Sequence, residues 1–253
     1  MFTKAIVKTP CKNMTAGLTN AGLGPPCYEK ALKQHEDYVN ALRECALEVI
    51  ILEADEAYPD STFVEDTALL TPNCAIITNP GADSRRGETI AIEREIEKHY
   101  SIIERVTDPG RVDAGDIMMV GTCFYIGLSG RTNEAGARQM IDILNRHGMT
   151  ASLIRVEEVL HLKTGVSYLE NNNLLTQGTL AKHPDLVSYN ILTVDDDESY
   201  AANSVYAGER VLIPLGYPKT KALIQKAGYS TIEVDVSEFQ KLDGGLSCLS
   251  LRF

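Results

Sequence analysis

The sequence predicts an α/β fold, a five-bladed α/β propeller built from ββαβ repeats and closed by the two termini. Three features lead to it. A strand–turn–strand pattern recurs roughly fifty residues apart, a spacing typical of repeat architectures. Each copy runs into a segment of helical periodicity and then a short β-branched stretch. The fifth copy is divided between the two ends of the chain, which is how a ring of repeats closes. Two ordinary α/β layers are the alternative arrangement.

The first hairpin is Asp66–Leu70 and Cys74–Thr78 around a turn at Pro72-Asn73, followed by a helix over 86–99 and a strand over Ile102–Val106. The second is Asp116–Val120 and Cys123–Gly127 around Gly121-Thr122, with a helix over 132–147 and a strand over Ser152–Val156. Gly165–Leu169 and Asn173–Thr176 make the third, with a weaker helix over 178–188 and a strand over Ile191–Val194. Asn203–Tyr206 and Arg210–Pro214 make the fourth, leading to a helix over 218–227 and a strand over Thr231–Val234. The fifth pairs Leu246–Leu251 with Ala5–Lys8, then continues through a helix over 27–45 into Leu47–Leu52. Lys12 to Pro26, with Gly17, Gly22 and Gly24 and little periodicity, reads as a mobile loop placed to act as a lid.

At 253 residues the chain can bury roughly three-quarters of its unfolded surface; one domain or two would fit the length, and as a closed repeat architecture residues 1–253 read as a single catalytic domain. A net charge of −11 and a pI near 5.0 argue against a nucleic-acid partner, which needs clustered Lys and Arg, and favour a cationic small molecule. The N-terminus turns polar too soon for a signal peptide, and no run reaches the ~18 apolar residues of a membrane span. The six cysteines are widely spaced, with no CxxC pair, and read as reduced thiols of a cytoplasmic protein. No glycine-rich phosphate loop or metal-ligand spacing is found, so neither cofactor nor metal is expected. A homodimer is allowed by the sequence but not required by it.

Cys45, Cys74 and Cys123 sit in apolar or strand patterns, where cysteine serves as a small core residue. Cys248 differs, because Asp243-Gly244-Gly245-Leu246-Ser247 before it is a turn that lets the backbone approach a ligand. Of five histidines, His161 alone stands at the mouth of a predicted hairpin. Carboxylates cluster at such mouths too: Asp60, Glu65 and Asp66, then Asp113 and Asp116. Turn and strand-edge capping would explain each acid separately. In a propeller, however, equivalent ends of the repeats converge, which brings residues 66, 113, 161 and 248 together. Such a set suits attack on a guanidinium. Carboxylates hold the cation, a thiolate attacks its carbon, and a histidine protonates the departing amine and then activates water. Arg85 and Arg131 are suited to bidentate capture of a carboxylate, which implies an amino acid with a guanidino tail.

Six motifs, in order, carry a resemblance that spans essentially the whole chain. Phe63-Val64-Glu65-Asp66, Ser84-Arg85-Arg86-Gly87-Glu88, Ala114-Gly115-Asp116, Arg131-Thr132-Asn133, His161-Leu162-Lys163-Thr164 and Asp243-Gly244-Gly245-Leu246-Ser247-Cys248 resemble the dimethylarginine dimethylaminohydrolases, of the guanidino-modifying (pentein) superfamily. The resemblance implies Cys248 as nucleophile, His161 as acid–base residue, and Asp66 and Asp113 on the guanidinium with Glu65 close by. It further implies Arg85 and Arg131 on the substrate carboxylate. The substrate amino group would fall to Asp60 and the backbone carbonyls of Leu18 and Leu242. Relatives carry Glu or Asp at position 113, and Asp reaches one methylene less. Arginine deiminases carry His-x-Asp where this chain has His161-Leu162-Lys163, and an acid there would face a dimethylated nitrogen that has no N–H to donate. Deiminases of arginine or agmatine remain the enzymatic alternative, and a ribosome-binding propeller factor the non-enzymatic one.

Overall fold

The computed structural model describes residues 2–156 and 159–253, and its contacts gather into two compact units. One comprises the chain up to Phe63 together with Gly165–Arg252; the other is Val64–Thr164 with Phe253.

The Val64–Thr164 unit holds two three-stranded sheets of the same mixed topology. In the first, Ala75–Ile77 pairs antiparallel with Ala68–Leu70 and parallel with Ile103–Arg105. All six residues of the two hairpin strands are buried, which is why they read as continuous apolar runs without alternation. In the second sheet Cys123–Leu128 is central, antiparallel to Ile117–Val120 and parallel to Thr150–Arg155. A parallel return needs a crossover, here the helix Glu134–Arg146. Asn133 caps it by accepting the Gly136 N–H, and Ala137, Met140, Ile143 and Leu144 face a core with Phe124 and Ile126.

The other unit repeats this plan three times. Asn173–Thr176 lies between Val166–Tyr168 and Asn190–Thr193, and Arg210–Pro214 between Val205–Ala207 and Ser230–Val234. The third sheet uses both termini: Lys4–Lys8 pairs antiparallel with Leu251–Arg252 and parallel with Glu48–Leu52. Its crossover is the helix Tyr28–Glu44, whose fully buried Tyr38 hydroxyl lies 2.7 Å from Ser250 Oγ. The five three-stranded sheets, one of them shared by the termini, are thus as the sequence predicts, as are the α-helices of four of the five repeats.

Three elements differ. The helix expected over 178–188 is only a 3-10 turn, Gly178–Lys182, because Pro184 can neither donate a backbone hydrogen bond nor follow a helical residue comfortably. The helix expected from residue 86 begins at Thr89, and a 3-10 turn, Asp83–Glu88, carries Arg85 and Arg86. The C-terminal strand shortens to Leu251–Arg252, and Cys248 lies on a 3-10 turn, Ser247–Leu249. The segment read as a lid opens with a 3-10 turn, Lys12–Ala16, anchored by the fully buried Met14. Among the described residues no helix is long and apolar enough to cross a membrane.

Met140→Ala is expected to lower unfolding free energy by about 2–5 kcal/mol, since it leaves a cavity beneath the crossover helix. Urea denaturation followed by circular dichroism checks this.

Candidate active site

The Val64–Thr164 unit concentrates its buried charge around two 3-10 turns. Val64–Thr67 presents Glu65 and Asp66, and Ala114–Asp116 follows Asp113; all four carboxylates are buried. The Gly115 N–H donates to Asp66 Oδ1 at 3.0 Å. A side chain at 115 would place its Cβ 2.6 Å from that oxygen and 3.0 Å from His161 Nδ1, so only glycine lets the turns approach. Arg85 reaches the cluster from its own turn. It donates Nη1–H to Asp66 Oδ2 at 2.5 Å, Nη2–H to Glu88 Oε2 at 2.8 Å, and Nε–H to Glu88 at 3.1 Å. Burial works against the guanidinium charge, but Asp66 and Glu88 outweigh it and raise the Arg85 pKa further.

His161 stands just before the short helix Leu162–Gly165, with Nε2 3.0 Å from Asp113 Oδ2. Burial alone would drive its pKa down. Asp66, the Asp113 hydrogen bond and Asp116 reverse this and hold it at about 9, so the imidazole is cationic at neutral pH. Asp113 is fully buried, which opposes its charge, yet His161, Arg85 and the Gly81 N–H (2.8 Å to Oδ1) keep its pKa below the usual carboxylate range. Arg131 Nη1 lies 3.9 Å from Asp113 Oδ2, and its side chain is about one-fifth exposed. Lys163 Nζ bonds Glu65 Oε1 at 2.7 Å. Ligand atoms of Asp66, Asp113 and His161 converge within 4.8 Å, but Arg85 and His161 supply the positive charge there.

In the other unit, Cys248 is half-buried on its turn, and the Gly245 N–H points at its sulfur at 3.4 Å. That turn is fixed from outside. Asn203 accepts the Ser247 N–H at 2.9 Å and donates to Ser247 Oγ at 3.0 Å, while the Tyr200 hydroxyl donates to the Gly244 carbonyl at 2.7 Å. Side chains at 244 or 245 would collide with Phe63 and Asn203, so both glycines are required by packing. Asp60, also buried, accepts the Leu18 N–H at 3.0 Å. Leu242 is buried beside the left-handed Asp243, whose carboxylate accepts the Asn20 N–H at 2.6 Å. Of the residues expected from sequence, Glu65, Asp66, Arg85, Arg131, Asp113 and His161 belong to one unit, and Leu18, Asp60, Leu242 and Cys248 to the other. Glu88, Asn203 and Tyr200 were not foreseen. Glu88, three residues after Arg85, is a turn-spaced partner that the sequence displays; Asn203 and Tyr200 leave no such mark.

Five repeated three-stranded mixed sheets, with a glycine-turn cysteine in one unit and a cationic histidine–aspartate pair in the other, fit the five-bladed α/β class of hydrolases. The profile of the family described as N,N dimethylarginine dimethylhydrolase, eukaryotic, matches residues 26–171. The N(G),N(G)-dimethylarginine dimethylaminohydrolase of Pseudomonas aeruginosa is 53% identical over all of both chains, and that of Streptomyces coelicolor is 35% identical over 98% of this chain and 96% of its own. A crystal structure of the Pseudomonas aeruginosa enzyme, as a Cys-to-Ser variant complexed with citrulline, superposes with a TM-score of 0.99 over 100% of both chains at 53% identity. The chain belongs to the dimethylarginine dimethylaminohydrolase family.

The His161–Asp113 pair also links stability to pH. A raised histidine pKa contributes stability that is complete below about pH 6.5 and lost as pH rises through about 9. The depressed Asp113 works at the other end, its contribution vanishing as pH falls through its own low pKa. Unfolding free energy from urea titrations is expected to decline between about pH 7 and 10, and His161→Gln should remove that part of the slope.

Proposed function

We propose that this chain hydrolyses N-omega-methylated arginines, asymmetric dimethylarginine and monomethylarginine, to citrulline and methylamines through a covalent Cys248 intermediate. The observation that carries it is the buried His161, kept cationic by Asp66, Asp113 and Asp116, a proton donor charged before the reaction begins. The thiolate of Cys248 attacks the guanidinium carbon, forming a C–S bond. The C–N bond to the methylated nitrogen then breaks, and the proton of His161 leaves with the amine. His161, now neutral, takes a proton from water, whose oxygen attacks the same carbon; C–S cleavage frees citrulline and returns the thiolate.

The substrate groups are divided as follows. Asp66 and Glu65 face the guanidinium, and Asp113 acts through His161. Asp60 with the Leu18 and Leu242 carbonyls receives the α-amino group. The partly exposed Arg131 captures the α-carboxylate, and Arg85 joins it only by exchanging an internal carboxylate, Asp66 or Glu88, for the substrate's. Lys163, where a deiminase has an acid, occupies Glu65 Oε1, so a substrate N–H finds one acceptor already engaged. A dimethylated nitrogen has no such N–H to satisfy. The free thiols fit a cytoplasmic protein, working as a monomer or homodimer on a small molecule. Support comes from relatives of the same fold: the citrulline complex, and a His-to-Gly dimethylarginine dimethylaminohydrolase variant, at TM-score 0.99 and 53% identity over 100% of both chains, solved as an adduct with S-methyl-L-thiocitrulline.

The test is a panel of asymmetric dimethylarginine, monomethylarginine, symmetric dimethylarginine and arginine, with citrulline measured under identical conditions. The first two are expected to turn over. Arginine should have kcat/KM lower by about 5–150-fold, the cost of roughly 1–3 kcal/mol for an unpaired buried donor. Symmetric dimethylarginine, with a methyl on the nitrogen assigned to Asp66, should be poor as well. His161→Gly should slow turnover of the good substrates about 10²–10⁴-fold. Arginine as the best substrate would make the chain an arginine deiminase instead.

A further inference from the structure

We infer that Asp116 is a positioning residue for the acid–base centre, its buried carboxylate holding the backbone beside His161 and, through two hydroxyls, the backbones of Asp113 and Arg131. Asp116 is fully buried. Its Oδ1 accepts the Leu162 N–H at 2.9 Å, directly after His161. Its Oδ2 accepts the hydroxyls of Ser129 and Thr132, each at 2.7 Å. A hydroxyl has one hydrogen, and both spend it on Asp116, so both are left facing their neighbours as acceptors. Ser129 Oγ then accepts the Arg131 N–H at 3.0 Å and the Thr132 N–H at 3.2 Å, and Thr132 Oγ1 accepts the Asp113 N–H at 3.2 Å. One anion thereby sets the direction of every bond in the network. The space for it is kept by Gly127, where a Cβ would lie 3.0 Å from Asp116 Oδ1.

The same carboxylate acts on His161 through its charge. The groups facing His161 are Asp66 from the Val64–Thr67 turn and Asp113 and Asp116 on either side of Gly115, with Arg85 behind Asp66 and Arg131 near Asp113. Burial pushes the Asp116 pKa up, but its three donors, all N–H or O–H groups aimed at the carboxylate, suit the anion. A neutral carboxamide in its place would remove one of three anions favouring the imidazolium. The amide nitrogen would also have to face a donor, turning one hydroxyl round.

This inference rests on the reading of His161 as the acid–base group, and the test separates the two. Asp116→Asn is compared with the wild-type protein by NMR titration of histidine-labelled samples, with His161→Gln for assignment, and by the pH profile of methylarginine hydrolysis. The His161 midpoint is expected to fall by roughly half to one pH unit, with the alkaline limb of kcat/KM moving with it, and kcat to drop about 10-fold or more. An unmoved midpoint, or turnover within about twofold of wild type, overturns the inference. Should Asp116→Asn fail to fold, Thr132→Val keeps the charge and cuts one arm. It should retain the His161 midpoint while kcat falls, and an unchanged kcat overturns the inference equally. A wild-type protein inactive on methylarginines would sink the proposed function by itself, and the His161 titration alone would then decide the place of Asp116.

Discussion

Taking a guanidinium and an imidazolium out of water costs several kcal/mol per ion even after the protein relaxes, and the Val64–Thr164 unit does both in one place. Arg85 is held by Asp66 and Glu88, His161 by Asp113, and Asp116 supplies a third anion facing the imidazole. Each cation thus has more than one carboxylate facing it, and removing one weakens the hold on a charge that stays buried. Its chemical consequence is a histidine charged at neutral pH where burial alone would make it neutral. The proton that a departing amine needs is therefore present from the start.

The backbone around these charges is shaped to admit them. Gly115 brings the two acidic turns into contact, and Gly244 and Gly245 allow the cysteine turn to seat against Phe63 and Asn203. Short 3-10 turns present Asp66 and Cys248 ahead of strands and Arg85 ahead of the helix Thr89–Ile96, while the sheets carry buried apolar residues. The rigid layers position the turns, and the turns carry the chemistry.

Much of this was legible in the sequence, and what was not has identifiable physical causes. The hairpins show as apolar runs bounded by turn residues, and the two halves of the fifth repeat were found at opposite ends because their pattern matched the other four. The third crossover returns its strand without an α-helix, since Pro184 interrupts a segment whose apolar periodicity is otherwise helical. Leu246–Leu251 reads as a strand by composition, yet Asn203 and Tyr200, more than forty residues away, fold its first half into a turn. The resemblance assigns Arg85 to a substrate carboxylate, while its bonds to Asp66 and Glu88 appear only in the structure; sequence displays Glu88 three residues on but does not say that the two side chains pair. Asp116 looked like a strand-edge cap, and only the structure reveals that its partners lie beside His161, Asp113 and Arg131.

Covalent attack by Cys248 on a guanidinium carbon is the claim on which the functional account stands. Wild-type protein mixed with asymmetric dimethylarginine, quenched in acid during turnover and digested, should show the mass of a thiouronium adduct on the peptide carrying Cys248 and on no other cysteine peptide. The Cys248→Ser protein should show none. Turnover without an adduct on Cys248, or with one on Cys27 or Cys123, would contradict the account.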